Sequence, residues 1–357
     1  MIKNIVIAGA STFTVKNLGD EAMLLNLIQA IKRHNKKINI TLLSRHPSNY
    51  FDKLYGIKTI KNFEFDKRKQ SIGKFFYGFN SDKSHPHIDK VRNELIKADM
   101  FILAGNLFME LFPNTFLRGV ASYSTTMAIL SKFCNTKIYI ASLNVISEFR
   151  SPIVKEYLKF LSKVTTKVLV REKNAKKNLL GINFDSKKVS IEGESAFGVD
   201  VPIKEKIISG LIKNKKVIKD KKKIISVCIR DEYWKNKIDK NFFRKQAVIL
   251  SKISELTDAT LLFVPNGFSP ARKWMDDRDV HREIIKRLSK KTKYLSITKD
   301  LNVYESINLH SVSDFHITNR RHSIVFAVLN KISTAIINTN LKGHLEPLSK
   351  DINLREN

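Results

Sequence analysis

"TNRRHSIVFAVLNKISTAIIN", residues 318–338, decides the fold. Thr318 closes one apolar, strand-like run, "SDFHIT" (313–318), and "ISTAIIN" (332–338) is another. Between them "SIVFAVLN" (323–330) reads as a helix. Strand, turn, helix and strand in such short compass is a βα unit whose two strands run parallel. Arg320, Arg321 and His322 fill the turn, where the carboxyl end of the strand meets the helix.

The same punctuation extends outward over the chain. "KNIVIAGA" (3–10), "INITLLS" (38–44), "DMFILAG" (99–105), "TKIYIASLNV" (136–145) and "KVLVRE" (167–172) are strands. "DEAMLLNLIQAIKRH" (20–34) is a helix with Ala22, Leu25, Ile28 and Ile31 on one stripe, and further helices fall near 87–97, 115–133, 152–163 and 173–180. A second series has strands at 223–230, 259–267, 293–298, 313–318 and 332–338, with helices near 241–256, 279–289, 303–310 and 323–330. The fold class is therefore α/β, with two Rossmann-like doubly wound domains. The expected division is residues 1–203, a lysine-rich linker at 204–222 that holds at most one helix, and residues 223–357. Ligands of such sheets bind beyond the carboxyl ends of the strands, so the expected site is a cleft faced by both sets of strand ends.

Composition narrows the partners. With 357 residues, 43% hydrophobic and 9% aromatic, the chain is long enough for two cores and reads as globular. Two isolated cysteines, Cys134 and Cys228, make no disulfide framework and no zinc spacing, and both read as small buried hydrophobes. No run reaches the roughly 18 apolar residues of a membrane span, and the short apolar start lacks signal-peptide flanks. A cytoplasmic protein is expected. The net charge of +30 is spread through almost every segment and concentrated at 213–223; it adds peripheral contact with an anionic membrane surface as an expectation. Nucleic acid is not an expected partner, because no aromatic RNA-binding signature or zinc finger accompanies the charge.

Five stretches carry chemistry. In "GASTFTVKNLGDEAM" (9–23), Asn17, Gly19 and Asp20 open a helix after a strand, either as simple caps or as a loop that holds substrate. In "ADMFILAGNLF" (98–108), Gly105 and Asn106 follow a strand, where a glycine allows close approach of a ligand. Arg171 and Arg230 each end an apolar strand, as a cleft-facing cation or as an ordinary surface charge. At 320–322, a helix N-terminus and two guanidinium groups suit phosphate or carboxylate, and a histidine beside them can move a proton near neutral pH. Two cations at a helix N-terminus are unfavourable without a negative partner, so the turn is expected to be an anion site. Arg171, Arg230 and Arg320 are expected to approach one cleft. The remaining histidines show no metal-ligand spacing.

The order "NLGDEAML", a strand–glycine turn, "VRE…A…LLG", "GESAF", "VCIR", "FVP" and "RRHSIVFAVLNKIS" resembles the polysaccharide pyruvyl transferases over residues 5–345. The family's late R-L-H element reads Arg320-Arg321-His322 here, its S-x-R arginine falls on Arg171, and its D-P-A-F element reads Glu194-Ser195-Ala196-Phe197. The resemblance implies a GT-B-like arrangement of two Rossmann-like domains. It also implies transfer of a pyruvyl group from phosphoenolpyruvate to hydroxyls of a glycan, forming a ketal. The implied acceptor is a cell-surface glycan or a lipid-linked saccharide, and no cofactor or metal is expected beside the donor. It assigns catalysis to His322 and substrate binding to Arg171 and Arg320; from their places at strand and helix ends, Arg230, Arg321, Asn17, Gly19, Asp20, Gly105 and Asn106 are the further substrate-binding candidates. Two alternatives stay open: a GT-B glycosyltransferase using a nucleotide sugar, and a non-enzymatic binder of an acidic polymer.

Overall fold

The computed structural model describes residues 2–9, 17–44, 47, 49–62, 86–105, 120–145, 151–212, 223–230, 241–268, 276–337 and 348. The chain forms two compact units, Met1–Thr14 with Met23–Ser195, and Val15–Ala22 with Ala196–Asn357.

The first unit alternates strands and helices: β1 (Asn4–Gly9), α1 (Leu18–His34), β2 (Asn39–Ser44), α2 (Asn49–Tyr55), β3 (Lys58–Lys61), α3 (Pro86–Lys97) and β4 (Met100–Ala104). There follow α4 (Val120–Phe133), β5 (Lys137–Leu143), α5 (Pro152–Val164), β6 (Thr165–Val170), α6 (Lys173–Leu180) and β7 (Val189–Ile191). The first five residues of α1 group with the second unit. The seven strands pair in parallel in the order β3-β2-β1-β4-β5-β6-β7. Central strands of a parallel sheet are covered on both faces, which is why "IVIA" and "FILA" are unbroken apolar runs, buried throughout. Strands β3 ("KTIK") and β7 ("VSI") escaped the sequence reading: they are short, partly polar, and lie at the two edges, where one side has no strand partner.

The second unit contains α7 (Glu205–Leu211), β8 (Ile224–Cys228), α8 (Phe242–Thr257), β9 (Thr260–Phe263), α9 (Asp277–Ile285), β10 (Tyr294–Ser296), α10 (Val303–His310), β11 (Phe315–Thr318), α11 (Arg321–Leu329) and β12 (Ser333–Ile336). Its five parallel strands run β10-β9-β8-β11-β12, the doubly wound order, with the topological switch between β8 and β11. Part of the stretch expected as a linker is built into this unit. Helix α7 leads from Lys204, whose N–H donates to Asn308 Oδ1 of α10 (2.6 Å), while Asn308 Nδ2 donates to the Pro202 carbonyl (3.3 Å). Residues 213–222, most of the lysine run, lie outside the described residues. No helix among the described residues is long and apolar enough to cross a membrane. Cys228 is buried as expected, whereas Cys134, at the end of α4, is only partly buried.

Polar groups thread the core beneath the 318–323 turn. The rings of His310 and His316 meet edge to face, 4.8 Å between centroids. Ser323 Oγ lies 2.7 Å from His316 Nε2 and 3.3 Å from His310 Nε2, His316 Nδ1 lies 2.9 Å from Ser226 Oγ, and His310 Nδ1 donates to the Ser306 carbonyl (2.8 Å). His316 Nδ1 also lies 3.1 Å from the Ser226 carbonyl, so one order of protons fits the run: His316 Nδ1–H donates to Ser226, the Ser226 hydroxyl donates to the Phe315 carbonyl (3.4 Å), and the Ser323 hydroxyl donates to His316 Nε2. Both imidazoles are neutral in that order. Burial enforces this, holding His310 down to about 4 and His316 well below its ordinary value. His281, whose Nε2 accepts from the Ile229 N–H (3.2 Å), is likewise pushed down to about 4 by burial.

These three histidines predict acid lability. In the unfolded chain they take up protons near pH 6.5, whereas the folded chain resists protonation until about pH 4 or lower. Between those limits the unfolded state binds more protons, so stability falls as pH falls and is recovered above pH 6.5. Each histidine contributes a slope of up to about 1.4 kcal/mol per pH unit. Urea midpoints measured at pH 7.5 and pH 5.5 are expected to drop clearly at the lower pH; equal midpoints would contradict the neutral, buried histidines.

Candidate functional site

The switch point of the second unit lies between the carboxyl ends of β8 and β11, and the sequence places charged side chains at both. Asn319 stitches the two ends together: its Oδ1 accepts from the Arg230 N–H and its Nδ2 donates to the Arg230 carbonyl, both at 2.9 Å. Thr318 adds a second stitch, donating from Oγ1 to the Cys228 carbonyl (2.6 Å) and accepting from the Arg320 N–H (2.9 Å). Arg320 is the N-cap of α11 in extended backbone, and Arg321 is the first helical residue. The helix thus starts two residues earlier than its apolar pattern suggested, which puts His322 in the first turn. Arg321 is buried and His322 partly so.

A negative partner for Arg320 is supplied by the protein itself. Its Nε donates to Asp277 Oδ1 at 2.9 Å, and its Nη2 donates to the same oxygen. Asp277 Oδ2 accepts the backbone N–H groups of Asn266 and Gly267, each at 2.9 Å. Burial by itself would lower the Arg320 pKa; the Asp277 carboxylate, with a smaller contribution from Asp20, overcomes this and raises it. The expectation that two cations here require a bound anion is therefore corrected for Arg320: a carboxylate from α9 already faces it. Asp277 was missed because the helix was expected to begin near 279; it begins at Asp277, after the Asp276 N-cap.

The "NLGDEA" segment belongs to this unit. Leu18 N–H donates to the Asn266 carbonyl (3.0 Å), and Asn17 forms an isolated bridge with Gly267. Asn17 Oδ1 accepts from the Gly19 N–H (3.3 Å) and its Nδ2 donates to Asp20 Oδ2 (2.9 Å), so the asparagine folds the turn that begins α1. Asp20 and Glu21 are both buried. Gly19 lies hard against the histidine: a Cβ built there would come within 1.8 Å of His322 Nδ1. The requirement for glycine is one of space at the imidazole. Asn17, Gly19 and Asp20 thus join Arg320, Arg321, His322 and, through Asn319, Arg230 in one neighbourhood. Among the described residues no group of three or more His, Cys, Asp or Glu side chains is placed to hold a metal ion.

The remaining candidates lie in the first unit. Arg171 follows β6 and is buried, its Nη1 3.3 Å from Glu194 Oε2 with both side chains almost fully enclosed. The reading of Arg171 as an ordinary surface charge is set aside by that burial. Beside the pair, at the end of β5, Ser142 adopts a positive φ of 54° next to shifts in the β5–β6 register. Its Oγ lies 2.7 Å from Ser195 Oγ, and Glu192 accepts from its hydroxyl and its N–H. Strained backbone beside a bulge marks places where a fold aims side chains deliberately, a signal invisible in the sequence. Gly105 ends β4 with φ 86°, a left-handed conformation that suits glycine, and its N–H donates to the Ala141 carbonyl (3.1 Å). Asn106 lies outside the described residues.

Comparison with solved structures places the fold. The chain is similar to UDP-GlcNAc 2-epimerase from Methanocaldococcus jannaschii, at TM-score 0.63 and 13% identity, over 98% of this chain and 87% of that one. It is similar to MnaA of S. aureus, solved with UDP, at TM-score 0.61 and 15% identity over 98% and 82%. Anabaena Alr3699/HepE in complex with UDP-glucose gives TM-score 0.56 and 13% identity over 99% and 83%. At these identities the likeness is one of fold, the GT-B-like class expected from the sequence. No curated protein matched by sequence. The family model for polysaccharide pyruvyl transferase matches residues 17–340, starting at the asparagine that shapes the Gly19 turn and running past the His322 helix, and the chain belongs to that family.

Proposed function

We propose that the protein transfers the pyruvyl group of phosphoenolpyruvate to two hydroxyls of a glycan, making a cyclic ketal and releasing phosphate. The observation that supports this reading is the packing of Gly19 against His322, which brings the two most distinctive family elements together at the switch point of the second unit. In balanced form, C3 of the enol gains a proton and C2 takes the oxygen of one sugar hydroxyl. The second hydroxyl oxygen then displaces phosphate from C2. One hydroxyl proton ends on C3 and the other on phosphate.

Each residue has a role in this scheme. His322, in the first turn of α11, is the proposed group that moves the proton, as acid toward C3 or as base toward the hydroxyl. The helix N-terminus together with Arg320 and Arg321 stabilises negative charge as phosphate leaves. Arg230 is a further substrate-binding cation, tied to the same turn by Asn319. Arg171 and, beyond the described residues, Asn106 are proposed substrate-binding groups on the family resemblance. Lipid-linked saccharide remains the proposed acceptor class, with the net charge of +30 suited to an anionic membrane surface.

Mass spectrometry of a candidate glycan incubated with phosphoenolpyruvate tests the reaction. A mass gain equal to one pyruvyl ketal, with phosphate released in step, is the expected result. Thermal protection by UDP-sugars but not by phosphoenolpyruvate would transfer the reading to a nucleotide-sugar glycosyltransferase.

Two substitutions probe the site. His322→Gln is expected to abolish turnover while leaving phosphoenolpyruvate binding largely intact by calorimetry; near-normal turnover would remove the histidine from the chemistry. Gly19→Ala places a methyl group where the imidazole stands, so the ring must move. A displacement of about 1 Å at a reacting group costs on the order of 10²-fold in rate. Turnover should fall by about that factor without loss of the folded state by circular dichroism, and an unchanged rate would show that the ring position does not matter.

A further inference from the structure

We infer that Asp277 is the positioning residue of this site, setting the Arg320–His322 turn and the Gly19 turn in register through one buried carboxylate. The inference rests on the pyruvyl-transfer reading for its kinetic consequences, and its geometry stands apart from that reading.

Asp277 is the first residue of α9 and almost fully buried. Its neighbour Asp276 does the capping, accepting from the Arg278 N–H at 3.0 Å and from the Arg278 guanidinium at 2.9 and 2.6 Å. Asp277 is thereby left to face inward, where its two oxygens divide the work. Oδ1 takes two guanidinium donors of Arg320, and Oδ2 takes the N–H groups of Asn266 and Gly267. The Asp277 N–H in turn donates to the Gly267 carbonyl (3.0 Å), closing a ring between α9 and the segment after β9. Asn266 and Gly267 are the residues that Leu18 and Asn17 grip. One oxygen thus faces the turn that carries the proposed acid–base residue, and the other faces the backbone that holds the glycine packed on it.

Only a carboxylate answers this arrangement. Five donors converge on two acceptor atoms, the four N–H groups and the Cys228 thiol, whose Sγ lies 3.9 Å from Oδ2, and an ionised aspartate offers acceptor sites alone. Asparagine offers one acceptor oxygen and an NH₂ group. Whichever way it turned, two N–H donors would confront either the guanidinium or the backbone pair. An arginine left without its partner in a buried setting is strongly destabilising and must move to recover solvation. Asp277→Asn is therefore expected to release the Arg320 turn, and Asp277→Glu, which keeps the charge with one more methylene, to hold it in a shifted position.

The test compares the full-length protein with Asp277→Asn, Asp277→Glu and Leu250→Ala, the last a core substitution in α8 that lowers stability without touching these groups. Two quantities are read: solvent exchange of the Arg320 Nε–H by NMR, assigned with Arg320→Lys, and kcat with KM for phosphoenolpyruvate. The wild-type Nε–H should exchange slowly and that of Asp277→Asn rapidly. The kcat of Asp277→Asn should fall by at least about 10²-fold, with a smaller change in KM. Asp277→Glu should recover part of the loss, and Leu250→Ala should keep wild-type kcat. Protected exchange in Asp277→Asn together with turnover within twofold of wild type would overturn the inference, as would an equal kcat loss in Leu250→Ala. Should Asp277→Asn fail to fold, Asp277→Glu decides, and unaltered kcat there overturns it. A wild-type protein that forms no ketal would sink the pyruvyl-transfer reading, while the exchange measurement would still decide whether Asp277 holds the turn.

Discussion

A guanidinium held by a carboxylate inside the second unit is the interaction on which the candidate site depends. Burying either charge alone is expensive, and a pair repays the loss of water only when its hydrogen bonds are satisfied. Arg320 and Asp277 meet that condition because Asp277 also terminates two backbone N–H groups. The pair couples three segments that share no local sequence: the end of β11, the start of α9 and the strand-like extension after β9. The last of these docks the chain from Asn17 to Leu18. A segment near the amino terminus therefore completes a site whose remaining parts lie beyond residue 223.

Preorganisation extends below the surface. Thr318 and Asn319 use their side chains to tie the turn to β8, and Ser323 anchors the first turn of α11 onto two neutral histidines. Between these anchors, Arg320, Arg321 and His322 occupy a backbone fixed at both ends. Electrostatic catalysis gains most from dipoles and charges that need no rearrangement when charge develops, and such stitching is how a turn acquires that property. The histidines that supply the anchors sit at the low-stability side of acid pH, so the same device that rigidifies the turn sensitises the unit to protonation.

The first unit shows a parallel economy around Arg171. Its guanidinium, too, is matched by a carboxylate from a following loop, Glu194, and the adjoining Ser142 is held in a sparsely populated backbone conformation by Ser195 and Glu192. In both units an arginine that follows a parallel strand at its carboxyl end is enclosed and paired.

Much of the architecture was legible from residue order. Alternating apolar strands and amphipathic helices dictate two parallel sheets, since such strands must be covered on both faces. The central runs "NIVIAG", "MFILA", "IISVC" and "FHIT" lie where their apolar composition put them, and only short, polar edge strands such as β3 and β7 went unseen. Local chemistry also singled out Asn17, Gly19, Asp20, Arg320 and His322, because each has a distinctive role at a strand–helix turn. The tertiary structure alone decided that residues 15–22 join the second unit, that Gly19 abuts His322, and that the counter-charge of Arg320 is Asp277. Periodicity reports which face of an element is covered, and capping residues report where it starts; neither carries information about which distant donor and acceptor will meet. That pairing is settled by the order of strands in the sheet and by the cost of leaving a buried charge unmatched, and both exist only once the chain has folded.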